Sequence, residues 1–225
     1  MNFTDNQNLY LGISEKKDGP MMNSSDNRLL FFKNRGLADK IIIMAGLVHG
    51  NKVAIIKDGD KNETITGYDA LITDNPKYLL ALTVADCLPI YFYDKNKKVI
   101  ALAHAGWRGV VSKIVEEVIA QFINHYGSGA GDIEVFIGPH IKDCHFEVKS
   151  DVANRFKPAD SIERNGKIFI NLSLIVKRQL IEYGVSGNNI NISQECTYCL
   201  SDGYFSFRRD HPEKLETMVA YISLK

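Results

Sequence analysis

Residues 83–109 read TVADCLPIYFYDKNKKVIALAHAGWRG, and this stretch decides the fold. Two apolar runs, 83–93 and 98–105, flank the polar DKNK at 94–97. Both are dense in Ile, Val, Leu and aromatic residues, the composition of buried strands. If DKNK closes a hairpin, Tyr93 faces Lys98, and counting back along both strands brings Cys87 opposite His104. Directly opposed residues in an antiparallel pair hold their Cβ atoms roughly 4.5–5.5 Å apart on one face. A thiol and an imidazole at that spacing can share one metal ion. A one-residue slip would send the two side chains to opposite faces. Pro89 permits the ladder only where its missing N–H faces outward or a bulge lies nearby.

Working outward, IIIMAGLVH (41–49) and KVAIIKD (52–58) read as strands separated by a Gly-Asn turn, with His49 at the end of the first. YDALITD (68–74) reads as a further short strand, and KYLLALTVADC with LPIYFYD as one broken extended run. Beyond His104 the period changes. Val110, Val111, Ile114, Val115, Val118, Ile119 and Phe122 fall at helical spacing, which predicts an amphipathic helix over 109–126 stopped by Gly127 and Gly129. IEVFIG (133–138) returns to strand. SDVANRF (150–156) and LSLIVKRQLIEYG (172–184) read as helices, the second with Gly184 at its C-cap. NINISQE (189–195), GYFSFRR (203–209) and MVAYISL (218–224) read as late strands, the second placing Arg208 and Arg209 on alternate faces. Residues 1–36 are polar and weakly patterned. Strands and helices mix without a regular βαβ repeat, which predicts one α+β domain over residues 1–225, with mixed β-sheets flanked by helices.

The balance of 27 Lys plus Arg against 27 Asp plus Glu gives zero formal charge. That argues against a protein built to bind polyanions, so nucleic acid is not an expected partner. The polar N-terminus carries no apolar segment of the kind a secretory signal needs. The longest apolar stretches are interrupted by Asp and Pro, so no membrane partner is expected. Four cysteines without an export signal read as free thiols or metal ligands. A soluble cytoplasmic protein is expected.

His49, Cys87 and His104 together make a soft-to-borderline donor set suited to zinc, with copper the less suited metal. Three protein ligands leave a fourth position open for water or substrate, the pattern of a catalytic rather than a structural site. Each residue alone has a plainer reading, the His as a turn residue and the Cys as a small buried hydrophobe. The motifs Ala-Asp-Cys-Leu-Pro and Ala-His-Ala-Gly-Trp-Arg-Gly contain residues that strand packing alone does not select. Backbone N–H groups at a helix start near residue 109, with Arg108, offer an anion site beside the metal. Gly106 and Gly109 permit close approach of backbone, or simply make the turn. Asp86, Glu147 and His145 are candidates for proton transfer. In CTYC, Cys196 is read as a buried position and Cys199 as incidental, since no second C-x2-C pair exists. His140, Cys144 and His145 are read as pocket wall more than metal shell, with His145 as a substrate contact.

HG at 49–50, VADCLPI at 84–90, AHAGWRG at 103–109, IGPHIKDCHFEV at 137–148 and CTYC with YFSFRRD at 196–210 resemble the bacterial laccase-domain family. That family was once called multicopper polyphenol oxidase and is also labelled peptidoglycan editing factor. The resemblance runs in order from about residue 10 to the C-terminus. It implies a zinc-dependent enzyme that phosphorolyses adenosine, inosine, guanosine and S-methyl-5'-thioadenosine and deaminates adenosine. Purine nucleosides and phosphate are then its partners, and a monomer or small homo-oligomer its state. Carried over position by position, the family's metal ligands, which are also its catalytic residues, are His49, Cys87 and His104. Two departures stand out. The family's N-terminal Arg followed by Gly-Gly-Val-Ser is replaced by ISEKKDGP (13–20), leaving Lys16 or Lys17 to meet phosphate. Lysine neutralises phosphate without a bidentate grip. The family's Thr-Gly-Arg tail is replaced by HPEKLET (211–217), so the residues of any substrate contact there do not carry over.

Three rivals remain. A multinuclear copper oxidase needs far more histidines than the six present, and no His-x-His occurs. A metal-independent Cys–His hydrolase would use Cys87 as nucleophile and His104 as base, acting as an amidase on peptidoglycan precursors. A metal-stabilised partner-binding domain would turn over no nucleoside.

Overall fold

The computed structural model describes residues 7–22, 25–61 and 63–225. Among them the chain forms three sheets. The first has strands in the order Leu9–Ile13, Met218–Leu224, Tyr78–Val84, Ile41–Gly46 and Glu63–Thr66. The second runs Ile190–Ile192, Ile133–Ile137, Leu88–Asp94, Val99–Ala105, Ala70–Thr73 and Val53–Ile55. Both are mixed, each combining parallel and antiparallel pairs. A small three-stranded sheet joins Glu147–Val148, Lys167–Ile170 and Ser161–Arg164. The fold class is therefore the expected one, α+β with mixed sheets in one domain.

Alternation along the strands explains how the two large sheets stack. Leu88, Ile90 and Phe92 point into a core shared with the helices Ile114–Tyr126 and Leu172–Glu182. Tyr91 and Tyr93 point the other way, into a core shared with Leu80, Leu82, Met218 and Ile222 of the first sheet. With both faces covered, these strands read as continuous apolar runs. On the far side of the first sheet, Phe31 and Phe32 of the helix Ser25–Asn34 pack on Leu79, Ala81 and Val219. The order of layers is helix, sheet, sheet, helices. Each fully buried large side chain contributes about 1.5–3 kcal/mol to it.

The hairpin forms, with a register different from the expected one. Leu88 pairs with Ala105, Pro89 with His104 and Asp94 with Val99. Asp94 is the last strand residue, because its carboxylate accepts from Asn96 N at 2.8 Å and Lys97 N at 3.1 Å. Lys98 then turns with φ 54°. The shift from the expected pairing is two residues, so face is conserved and Cys87 lies diagonal to His104 rather than opposite it. Pro89 costs the ladder nothing. His104 N donates to Asp69 O at 2.7 Å, away from Pro89, while Pro89 O accepts from Gly138 N at 2.9 Å.

Other expectations change. Residues 41–46 and 53–55 belong to different sheets, so His49 is not in a strand pair. The broken run at 78–94 also divides between the sheets, and residues 85–87 carry the chain across. The helix expected at 109–126 is two, Trp107–Val111 and Ile114–Tyr126, parted at Lys113 with φ 60°. GYFSFRR is a turn followed by the helix Phe207–Asp210, started by Ser206 accepting from Arg209 N. Arg208 and Arg209 therefore do not alternate on a strand. The helix Ser25–Asn34 has no sequence signature because Leu29 and Leu30, beside Phe31 and Phe32, face solvent. No helix among the described residues is long and apolar enough to cross a membrane.

Candidate metal centre and cavity

The centre is organised by a residue that motif reading passed over. Asp69, fully buried, precedes the strand Ala70–Thr73. Its carboxylate accepts from the backbone N–H of Val48 at 3.2 Å, His49 at 2.9 Å and Gly50 at 2.7 Å. The same carboxylate receives His104 Nδ1–H at 2.9 Å. One buried anion thus ties the turn leaving the first sheet to the strand of the second that carries His104. Burial pushes its pKa up, but the bonds from His104 and from Gly50 and Val48 outweigh this and hold it below the usual carboxylate range. The only signal in the sequence was an Asp at the mouth of an apolar strand.

Backbone geometry presents the other two residues. His49 has φ 60° and Asp86 φ 84°, a left-handed conformation that non-glycine residues adopt at a cost. Asp86 is held there by its contacts. Its carboxylate accepts from Thr197 Oγ1 at 2.7 Å, Ser206 Oγ at 3.1 Å and Arg208 N at 2.8 Å. Those bonds occupy it, so it shapes the turn that carries Cys87 and is no free proton-transfer group.

The ligand atoms of His49, Cys87 and His104 all lie within 4.8 Å of one another. The two imidazoles meet edge to face, ring centres 4.8 Å apart. Gly106 closes the fourth side. A Cβ there would come 3.0 Å from Cys87 Sγ and 3.2 Å from His49 Cδ2. Burial pushes the Cys87 thiol up, but His104 and the hydrogen bonds from both histidines bring it down to about 6. Burial lowers His104, yet Cys87 and Asp69 raise it to about 9. A thiolate poised between two imidazoles, one oriented by a carboxylate, fits a metal ion. Asp69 fixes His104 Nδ1 as donor and leaves Nε2 for the ligand bond.

The three residues open onto a cavity of about 390 Å³. Its walls include Trp107, Phe146, Phe207, Leu47 and Ile141, and among the described residues Arg208 is the one Lys or Arg that lines it. Arg208 Nη1 donates to Glu147 O at 2.7 Å, and its guanidinium lies 5.5 Å from the Phe146 ring centre. Leu215 and Thr217 also line it, so the divergent tail does reach the site. Thr217 Oγ1 is buried with no hydrogen-bond partner.

Three expected contacts lie elsewhere. Lys17 is exposed and ion-paired with Glu15 at 2.7 Å, and it does not line the cavity. Arg108 is exposed, its guanidinium 4.3 Å from the Trp107 ring centre, and it does not line the cavity. The helix behind it is only five residues long. Gly109 serves packing, since a Cβ there would sit 3.2 Å from Gly50 O. His145 is turned toward Cys144, Cys196 and Cys199 and does not line the cavity. Glu147 pairs with Lys167 at 2.8 Å.

A family model described as multi-copper polyphenol oxidoreductase laccase matches residues 7–225. A purine nucleoside phosphorylase of Bacteroides thetaiotaomicron is 35% identical over 171 residues, 72% of this chain and 63% of that one. The match thus spans less than two thirds of that relative's length. An adenosine deaminase from an unknown prokaryotic organism is 32% identical over 223 residues, 91% of this chain and 84% of that one. The crystal structure of YlmD from Geobacillus stearothermophilus superposes with a TM-score of 0.91 at 25% identity, covering 97% of this chain and 93% of that one.

Proposed function

This chain belongs to the family described as multi-copper polyphenol oxidoreductase laccase, and from that premise we propose that residues 1–225 form one zinc-dependent purine nucleoside phosphorylase domain with adenosine deaminase activity. Its substrates are adenosine, inosine, guanosine and S-methyl-5'-thioadenosine with phosphate, and it works in the cytoplasm. The observation that carries the reading is a two-imidazole, one-thiol set opening onto an aromatic-walled cavity. Relatives named purine nucleoside phosphorylase and adenosine deaminase support it.

His49, Cys87 and His104 would hold the zinc. When bound, zinc supplies Lewis-acid activation and a water nucleophile near neutral pH. The chain supplies the rest. Trp107, Phe146 and Phe207 give a purine flat apolar walls in a cavity of ligand size. Arg208 offers an anion the charge-assisted, planar grip that Lys17 was expected to replace. In phosphorolysis a phosphate oxygen bonds to ribose C1′ as the bond from C1′ to the purine nitrogen breaks. The electron pair leaves with the base, which takes a proton. In deamination water adds at C6 of adenine and the amino group departs as ammonia.

The test is inosine with phosphate, with and without a chelator, read as hypoxanthine and ribose 1-phosphate. Adenosine is followed in parallel as ammonia release. Chelator-sensitive product from either supports the reading, and none from both removes it. One observation favours a second reading, the hydrogen bond that joins the Cys87 thiol to His104, a pairing that suits a thiol amidase on peptidoglycan precursors. Such an enzyme would stay active after zinc is stripped.

A further inference from the structure

We propose a second zinc site, closed and structural, formed by Cys144, His145, Cys196 and Cys199. The fold delivers these residues from two segments remote in sequence. Strands Ile133–Ile137 and Ile190–Ile192 run parallel, so their C-terminal ends emerge side by side. An isolated bridge between His140 and Cys196 prolongs that pairing. The chain then turns so that Cys144 and His145 meet Cys196 and Cys199, the ends of CTYC.

The spacing is that of a tetrahedral site. Cys144 Sγ lies 3.6 Å from Cys196 Sγ and 3.7 Å from Cys199 Sγ. His145 Nδ1 is 3.2 Å from Cys144 Sγ and 3.3 Å from Cys199 Sγ. All four ligand atoms fall within 4.8 Å of one another. With zinc about 2.3 Å from sulfur and about 2.0–2.1 Å from nitrogen, a tetrahedron places sulfurs about 3.8 Å apart and sulfur about 3.6 Å from nitrogen. A disulfide would need about 2.05 Å and would engage only two of the three sulfurs.

The surroundings point the same way. Lys142 N donates to Cys196 Sγ at 3.4 Å and Cys199 N donates to the same atom, the kind of backbone support a metal-bound thiolate receives. The His145 ring stacks on Tyr198, centres 3.9 Å apart and planes at 13°, which fixes its direction. Cysteines that serve only as small hydrophobes are buried, whereas Cys144 and Cys199 are exposed. Four protein ligands leave no open position, and none of the four lines the cavity. That makes the site structural rather than catalytic. Zinc binding releases the thiol protons to solvent and changes no oxidation state. It would staple Ile141 and Phe146 of the cavity wall to the loop whose Thr197 holds Asp86.

The test counts metal and thiols in zinc-replete, reduced protein. About two zinc per chain are expected, with Cys87→Ser and Cys199→Ser each removing about one. The zinc edge absorption should show about two sulfurs per zinc on average, against one if only the first centre is filled. In the unaltered protein Cys144 and Cys199 should resist iodoacetamide despite their exposure until a chelator strips the metal, a readout that survives if a variant misfolds. One zinc per chain lost wholly with Cys87→Ser, free alkylation of Cys144 and Cys199 in loaded protein, or a Cys144–Cys199 disulfide under reducing conditions would each overturn the proposal. None of these readouts depends on nucleoside turnover.

Discussion

Asp69 accepts His104 Nδ1–H at 2.9 Å while the same carboxylate holds the backbone of His49 at 2.9 Å. Two candidate metal ligands, one on the turn leaving the first sheet and one on a strand of the second, are thereby registered against one buried anion. Asp69→Asn keeps the volume but weakens the bond that sets the His104 tautomer. Zinc affinity, read by chelator competition, should fall about 10–100-fold. Unchanged affinity would show that His104 is oriented by something else.

Gly106 provides a test of space alone. Its φ of −74° is open to alanine, so Gly106→Ala imposes no backbone strain. The added methyl meets Cys87 Sγ at 3.0 Å. Zinc affinity should drop at least about tenfold, while the melting temperature of the metal-free protein stays within a few degrees. A fully loaded variant would place the ligands differently from the description above.

In the proposed function Arg208, which lines the cavity, takes the anion contact expected of Lys17 and Arg108, which do not line it. Loss of a charge-assisted hydrogen bond costs about 1.5–3 kcal/mol, roughly 10–100-fold. Arg208→Gln should raise the KM for phosphate by that factor and leave adenosine deamination within a few-fold. Lys17→Gln and Arg108→Gln should move the phosphate KM by less than about twofold. A shift with Lys17→Gln instead of Arg208→Gln would reverse the assignment.

Tyr126 carries a pH dependence whose sign is fixed by its surroundings. Burial, and then the charge of Asp74, push its hydroxyl up to about 12. The unfolded chain ionises near 10, so between those values the unfolded state gives up the proton first. The stability it contributes is complete below pH 10 and is lost as pH rises toward 12. The loss is at most about 1.4 kcal/mol per pH unit, less where solvent reaches the half-buried ring. Urea unfolding from pH 9 to 11.5 should show a shallower alkaline limb for Tyr126→Phe than for the unaltered chain.

Much of this was legible in the chain because it depends on local pattern. Apolar runs predicted extended chain over 41–49, 68–74, 77–94 and 98–105, where strands form at 41–46, 70–73, 78–84, 88–94 and 99–105, and 3.6-residue spacing predicted one helix over 109–126, which forms as two parted at Lys113. The residue types at His49, Cys87 and His104 point to a metal by themselves. Register did not follow from the run lengths, because Asp94 captures two turn amides and moves the hairpin closure by one residue on each strand. Nor did the roles of Asp69, Arg208 and Cys199. Each acts on a partner tens of residues away, and sequence separation carries no information about distance in space. The linear order names the donors, while the Asp69 carboxylate joins 49 to 104 and sheet pairing brings 144 to 199. Only the tertiary structure decides that pairing, since it depends on which buried faces and buried charges are satisfied together.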